Sequence, residues 1–255
     1  AGADAVAVVD PDQRTVLRRL ELPVEPWYLA ATGDDRGFVG PLDPSEGTTI
    51  ALDSVSGEQL HDFTGGGFSS RPVGEIESIG DSVVVIARSQ YLYKFDITDR
   101  NEATLQFPAV EIDELDLTGR QMESSPDGAV FYVCGRQTAS FVEVFRVLDL
   151  DMVVDLDTEQ PSIYVAISPD GSEAYVASSM QMGAQTNTAA TYVTGFSTSS
   201  YARKDQQLCL GSMPSTSLAF SPDGRKLYVV VDNPYRITDN PYGDLRQDLQ
   251  ILQLH

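Results

Sequence analysis

Lysine is almost missing from this 255-residue chain: Lys94, Lys204 and Lys226 are all there is. Against 38 Asp and Glu stand 17 Lys and Arg, a formal net charge of −21. Such a surface repels polyanions, which excludes nucleic acid as a partner and works against docking on anionic membranes. It suits a salt-adapted, halophilic source, where high ionic strength screens the self-repulsion. It suits equally an acidic secreted protein from an arginine-favouring one. Long apolar runs are missing too. Stretches such as Val83–Ala87 fall far short of the roughly 20 residues that a membrane-spanning helix needs, so no membrane insertion is expected.

Histidine is nearly as scarce, with only His61 and His255. That argues against a His-based zinc site. A Ser-His-Asp triad would have to use His61, which sits in EQLHDF without a G-x-S-x-G elbow and reads as an outer-edge surface residue. Two cysteines, Cys134 and Cys209, make no disulfide framework, no paired-Cys motif and no haem-attachment signature. Both lie in apolar strand-like runs and read as small buried thiols, a bridge between them being the other option. The chain begins at Ala1 rather than methionine, which reads as a removed leader or a trimmed end, with no signal peptide left to see.

What is present is a repeat. SPDG occurs at Ser125–Gly128, Ser168–Gly171 and Ser221–Gly224, and the copies begin 43 and then 53 residues apart. Tyr-Val follows each copy after three residues: Tyr132-Val133, Tyr175-Val176 and Tyr228-Val229. Pro at the second turn position presets φ, Asp suits the third, and Gly accepts the backbone that completes the corner. Strand-like residues flank these corners, so each copy reads as a hairpin. Degenerate hairpins are expected at Trp27–Val39, turning at Gly33-Asp34-Asp35, and at Ile76–Ile86, turning at Gly80-Asp81. A third strand often ends in an acid, as at Ala5–Val9 with Asp10, Tyr91–Phe95 with Asp96 and Phe141–Leu148 with Asp149. The period is that of propeller blades. The expected architecture is therefore all-β: one domain over residues 1–255, a β-propeller of four-stranded antiparallel blades with about five blades visible.

SPDG-x-x-x-YV with a following V-x-V-x-D-like strand resembles the YVTN-type β-propeller repeats. These recur in surface-layer-like proteins, lactonase-like propellers and propeller subunits of quinone-dependent amine dehydrogenases. The resemblance covers most of the chain but rests on scaffold motifs, so it implies a fold and no activity. Closure has two readings. Either Thr15–Leu22 completes the final sheet as its fourth strand, giving five blades, or the chain is part of a six- or seven-bladed propeller.

SPDG is a first-to-second turn, so ligands are expected at the other end of the blades, on second-to-third and fourth-to-first connections. Two such second-to-third loops read as long: Ser178–Ala190 and Asp232–Asp248. In the latter, DNPY occurs twice, and Asp232, Asn233, Asp239, Asn240 and Asp244 offer hard oxygen ligands for Ca²⁺. The spacing is not that of an EF-hand, and Asp-Asn-Pro is also ordinary turn chemistry. Candidate ligand contacts are Trp27, Arg71, Arg88, Arg136, Tyr235 and Tyr242. Against each stands a simpler role: core packing for Trp27, and pairing with nearby carboxylates for the arginines. The Gly-rich Thr64–Val73 lacks the Lys-Ser/Thr of a P-loop and reads as a flexible loop.

No catalytic constellation emerges from these residues. The expected function is a non-catalytic extracytoplasmic propeller that presents its loops to a protein, glycan or small ligand. Two alternatives stay open: a lactonase-like or metal-assisted hydrolase at the channel mouth, and a propeller subunit of an amine-dehydrogenase-like redox complex.

Overall fold

The computed structural model describes residues 5–10, 12–22, 25–41, 49–63, 73–88, 91–106, 109–111, 121–134, 140–182, 188–209, 215–232 and 247–254. These residues contain strands and turns and no helix, so none is long and apolar enough to cross a membrane. The chain groups into two compact units, Ala1–Gly119 and Arg120–His255.

The first unit opens with a two-stranded ribbon, β1 (Ala5–Asp10) and β2 (Thr15–Glu21). A four-stranded sheet follows, in which β3 (Pro26–Ala31), β4 (Arg36–Pro41), β5 (Ile50–Asp53) and β6 (Gln59–Asp62) pair in chain order. Next come β7 (Val73–Ile79), β8 (Val83–Arg88) and β9 (Tyr91–Asp96). Their fourth position is shared by two short pieces, β10 (Thr104–Leu105) and β11 (Val110–Glu111), both paired with β9.

The second unit repeats the pattern. One sheet is β12 (Met122–Ser124), β13 (Val130–Cys134), β14 (Phe141–Arg146) and β15 (Met152–Asp157). The next is β16 (Ser162–Ile167), β17 (Glu173–Met182), β18 (Thr188–Ser197) and β19 (Arg203–Cys209). The last holds three strands: β20 (Ser215–Phe220), β21 (Lys226–Asp232) and β22 (Gln247–Gln253). Every pairing is antiparallel and, β11 with β9 apart, joins strands consecutive in the chain, so each sheet is an up-and-down meander. All five expected hairpins form.

The alternation of apolar side chains in these strands lets neighbouring sheets within a unit bury a face against each other. In the first unit, Phe38 and Phe63 from one sheet meet Ile76, Ile86 and Phe95 from the next. The Phe63 ring lies edge-on to Phe38 (5.7 Å between centroids) and to Phe95 (4.9 Å), the arrangement aromatic quadrupoles favour. In the second unit, Tyr132, Val142 and Val144 pack on Val165, Ile167 and Val176. Tyr175, Ala177 and Val193 then pack on Leu218, Leu227 and Val229. The tyrosine of the repeat thus faces the following sheet. Cys134 is a buried thiol in the first of these clusters, as expected; the Cys209 side chain lies outside the described residues.

Three expectations are corrected. Thr15–Leu22 does not serve as the fourth strand of the final sheet: β2 hydrogen-bonds to β1, from Ala5↔Glu21 to Asp10↔Thr15. The expected loop at Ser178–Ala190 is largely strand, because β17 and β18 pair continuously from Glu173↔Ser197 to Met182↔Thr188. No Gly or Pro interrupts Ser178–Met182, so the ladder simply continues. Finally, His61 lies on the outer strand β6, as expected, but is only partly exposed. Its ring nitrogens are buried and the ring lies 5.4 Å from that of Phe63.

Candidate functional site

The SPDG corners share one bonding scheme. In the second copy, the Gly171 N–H donates to the Ser168 carbonyl (2.8 Å). The Ser168 hydroxyl donates to Asp170 Oδ1 (2.6 Å) and accepts from the Glu173 N–H (2.9 Å). Asp170 Oδ1 also takes the N–H of Ser172 (3.0 Å). The copies at Ser125 and Ser221 repeat these contacts within a few tenths of an ångström. Gly128, Gly171 and Gly224 sit at φ 68°, 71° and 69°, a left-handed conformation that a side chain makes costly. Corners also touch in series. A Cβ on Gly171 would lie 3.5 Å from Pro126 Cδ, and one on Gly224 3.6 Å from Pro169 Cδ.

Between the second and third corners is an open cavity of about 500 Å³. Its carboxylates are already engaged. Asp170 and Asp223 accept the turn bonds just described, and Glu173 is ion-paired with Lys204. The Ser168 hydroxyl is the largest influence holding the Asp170 carboxyl down, to about 2. The Ser221 hydroxyl acts likewise on Asp223, and Ser125 on Asp127. These carboxylates stay ionised as acceptors inside their own turns, which is the chemistry of a corner.

The acids that end third strands do the same work at the neighbouring turns. Asp10 Oδ1 accepts from Asp12 and Gln13 N–H groups (2.9 Å each). Asp53 Oδ1 accepts from Val55 (2.9 Å) and Ser56 (2.6 Å), and Asp96 Oδ1 from Thr98 (2.8 Å). The Ser56 backbone bond, followed by the bond from Arg100, lowers the Asp53 carboxyl to about 2.

In the first unit this end of the sheets holds a buried cation. Arg36, at the start of β4, is only 2% exposed. Its Nε reaches both carboxylate oxygens of Asp34 (3.0 and 2.9 Å), one terminal nitrogen donates to the Asp81 carbonyl (2.6 Å), and the other to the Ile97 carbonyl. Asp81 Oδ1 in turn accepts from the Gly33 N–H (2.8 Å). Arg100 donates to the Asp34 carbonyl (2.9 Å) and pairs with Asp53. Burial acts to raise the Asp34 carboxyl, but the bonds from Arg36 and Thr32 bring it below the usual range. The network ties the turns of adjacent sheets together. Its only sequence signal is an arginine at the head of an otherwise apolar strand, RGFVGP.

His61 lies near the same network. Burial is the largest influence on it and lowers its pKa from 6.5, aided by Arg36 and opposed by the nearby Arg100 backbone and the Asp62 and Asp99 charges. In the second unit, burial likewise raises the Tyr132 and Tyr175 phenols.

The expected ligand and metal candidates fall elsewhere. Trp27 is the second residue of β3, Arg88 the last of β8 and Asp232 the last of β21, but their side chains are outside the description. Arg71, Arg136, Asn233, Tyr235, Asp239, Asn240, Tyr242 and Asp244 lie outside the described residues altogether. Along the chain they fall on the β6–β7, β13–β14 and β21–β22 connections. Among the described residues no group of three or more His, Cys, Asp or Glu is placed to hold a metal ion.

No family model matches the sequence, and no curated protein sequence matches it. Solved structures do resemble it. The Kuenenia stuttgartiensis hydrazine synthase has a chain that superposes with a TM-score of 0.70 at 18% identity, over 90% of this chain and 68% of that one. A chain of the mitotic checkpoint complex superposes at 0.65 with 15% identity, over 90% and 66%. The fold is a β-propeller. The chain spans about two-thirds of the length of these two propellers, and at such identities the likeness carries architecture alone.

Proposed function

We propose that this protein is a non-catalytic, extracytoplasmic propeller of the YVTN-repeat type whose ligand surface is formed by the connections opposite the SPDG corners. One observation carries the reading. At the corner end Asp170 and Asp53 are engaged in turns and Arg36 in cross-sheet bonds, which favours the longer connections as the ligand surface. A protein is the favoured class of ligand, and the resemblance to a chain from a mitotic checkpoint complex supports this; a glycan or small ligand is the further possibility within the same reading. The net charge of −21 supports a salt-rich external setting. Ca²⁺ held by Asp232, Asn233, Asp239, Asn240 and Asp244 would brace the DNPY loop.

The deciding experiment is an activity panel of lactones and aryl esters with Ca²⁺ or Zn²⁺ added, run beside melting curves. No turnover is expected. A stoichiometric Ca²⁺-dependent rise in melting temperature that Asp232→Ala removes is expected. Turnover above buffer that Asp232→Ala abolishes would replace this reading with the hydrolase one. Co-purification with a haem- or quinone-bearing subunit would replace it with the redox-platform one.

A further inference from the structure

Where the second and third strands of a sheet pair, their ladder ends level with the first strand or close to it. β8 pairs with β9 as far as Arg88↔Tyr91, and Arg88 is also where β8 meets the start of β7, at Val73. β13 pairs with β14 as far as Cys134↔Val142, the next residue after Val133, which pairs with Met122. The sheet of β16–β19 departs from this pattern. β16 leaves β17 at Ser162↔Ser178, yet β17 and β18 pair on through Ser179↔Thr191 to Met182↔Thr188. Pro161, the residue before β16, lies outside any strand and has no N–H to offer a ladder. On the other side, β19 is paired with β18 only as far as Tyr192↔Cys209. Residues 179–182 and 188–191 are therefore a two-stranded arm beyond the rest of the sheet, at the end away from the SPDG corner. Among the described residues, no third strand pairs with it.

The arm lacks what ordinarily keeps a free edge from pairing. Sheets blunt such edges with charge, proline or a bulge. Neither strand of the arm contains a charged residue or a proline, and their ladder has no register shift. The outer strands of the same unit use these devices: β15 and β19 meet their neighbours through register shifts, and carry Asp155 and Asp157, or Arg203 and Lys204. Charge is missing well beyond the arm. Residues 174–202 contain no Asp, Glu, Lys, Arg or His, the longest such run in a chain of net charge −21. Two copies of so acidic a chain repel, and the arm lets them meet backbone to backbone with no like charge at the contact.

We infer that the arm joins two copies of this chain into a two-fold dimer, the β17 edge over residues 179–182 pairing antiparallel with the same edge of the second copy. The geometry is self-complementary. In an antiparallel ladder, the residues that exchange hydrogen bonds point their N–H and C=O outward on both strands. A strand that meets its own copy therefore sets a residue opposite itself. A two-fold axis at Met180 or at Gln181 satisfies this and makes the contact isologous. A pairing this short buries less than the ~1,200 Å² at which stable interfaces begin, so the dimer is weak and reversible. It stands independently of what the long connections bind.

In sedimentation equilibrium the whole protein should pass from monomer to dimer with a dissociation constant on the order of 100 μM. Added salt should tighten the dimer, because the like charge on the two copies is then screened; a dimer that salt dissolves is held by ion pairs and overturns the proposal. Residues 179 and 181 share a face of the strand. Ser179→Glu with Gln181→Glu therefore sets like charges across the contact, as does Ser179→Lys with Gln181→Lys. Each double variant alone is expected to weaken dimerisation by about tenfold or more, and an equimolar mixture of the two to restore it. Gln181→Glu and Gln181→Lys as single variants serve the same comparison should a double variant fold poorly. Variants that dimerise unchanged, or a mixture that does no better than its parts, overturn the proposal. So does a wild type that stays monomeric to tenfold above the expected constant, since the occupant of the edge would then be a strand of another protein.

Discussion

Replacing Arg36 with methionine removes the cation from the first unit while keeping most of its apolar stem. The carbonyls of Ile97 and Asp81 then lose their guanidinium donors, and Asp34 loses its partner. Each buried acceptor left unsatisfied costs about 1–3 kcal/mol. The Asp34 side chain is 37% exposed, so water replaces much of that contact and it adds little. Methionine avoids desolvating a guanidinium, which offsets part of the loss. The expected cost is about 3 kcal/mol, the low end of what breaking a buried ionic contact takes. Trp27, the sole tryptophan, lies on β3 in the same sheet and reports on this unit by fluorescence. In urea, with a slope of about 1–3 kcal/mol/M, the midpoint should fall by about 1–3 M. Arg100→Ala is the control: its side chain is 39% exposed, so about 0–1 kcal/mol is expected. Equal shifts for the two variants, or a shift below about 0.3 M for Arg36→Met, would refute the assignment of Arg36 as the tie between turns.

The same corners and networks give further tests. Gly171→Ala should lower stability by about 1–2 kcal/mol from its left-handed backbone alone, since the 3.5 Å approach to Pro126 is an ordinary contact; Gly171→Asn should lose less, as thermal melts would show. Ser168→Ala removes the first cause holding Asp170 near 2, so the carboxyl should titrate closer to 3.8 in an NMR pH series, and an unmoved titration would contradict the bond. Asp170 and Asp53, both lowered from 3.8 to about 2, contribute stability that is full above 3.8 and lost as pH falls through 2. Circular dichroism of Asp170→Asn should therefore show a flatter pH dependence across that window. His61 has the same sign by a different route: its pKa is lowered from 6.5 by burial, so its contribution is full above 6.5 and declines below it. His61→Phe should flatten stability just below pH 6.5, and a variant that keeps the wild-type slope there would rule out His61 as its source.

The meander was legible because its punctuation is chemical. Pro and Gly in SPDG fix the backbone directly, and the acids closing third strands accept N–H groups of the following turn, as Asp10, Asp53 and Asp96 do. Even the degenerate hairpin at Gly80-Asp81 could be placed, since a positive φ at Gly80 marks its turn. Less legible was anything that depends on what lies across from a residue. Arg36 looks like a surface cation until two carbonyls and a carboxylate are seen around it, and His61 looks exposed until Phe63 is seen against its ring. The long β17–β18 ladder was missed because Ser, Met, Gln and Ala carry weak strand signals alone, and the paired strand supplies what composition does not.

Because every sheet is made from strands consecutive in the chain, each ladder closes over a short stretch of polypeptide and asks little loop-closure entropy. A growing chain can thus finish one meander before the next has left the ribosome, so the order of synthesis becomes the order of folding. Among the described sheets, that of β20–β22 follows the others in this order, and can pack against a neighbour that has already formed.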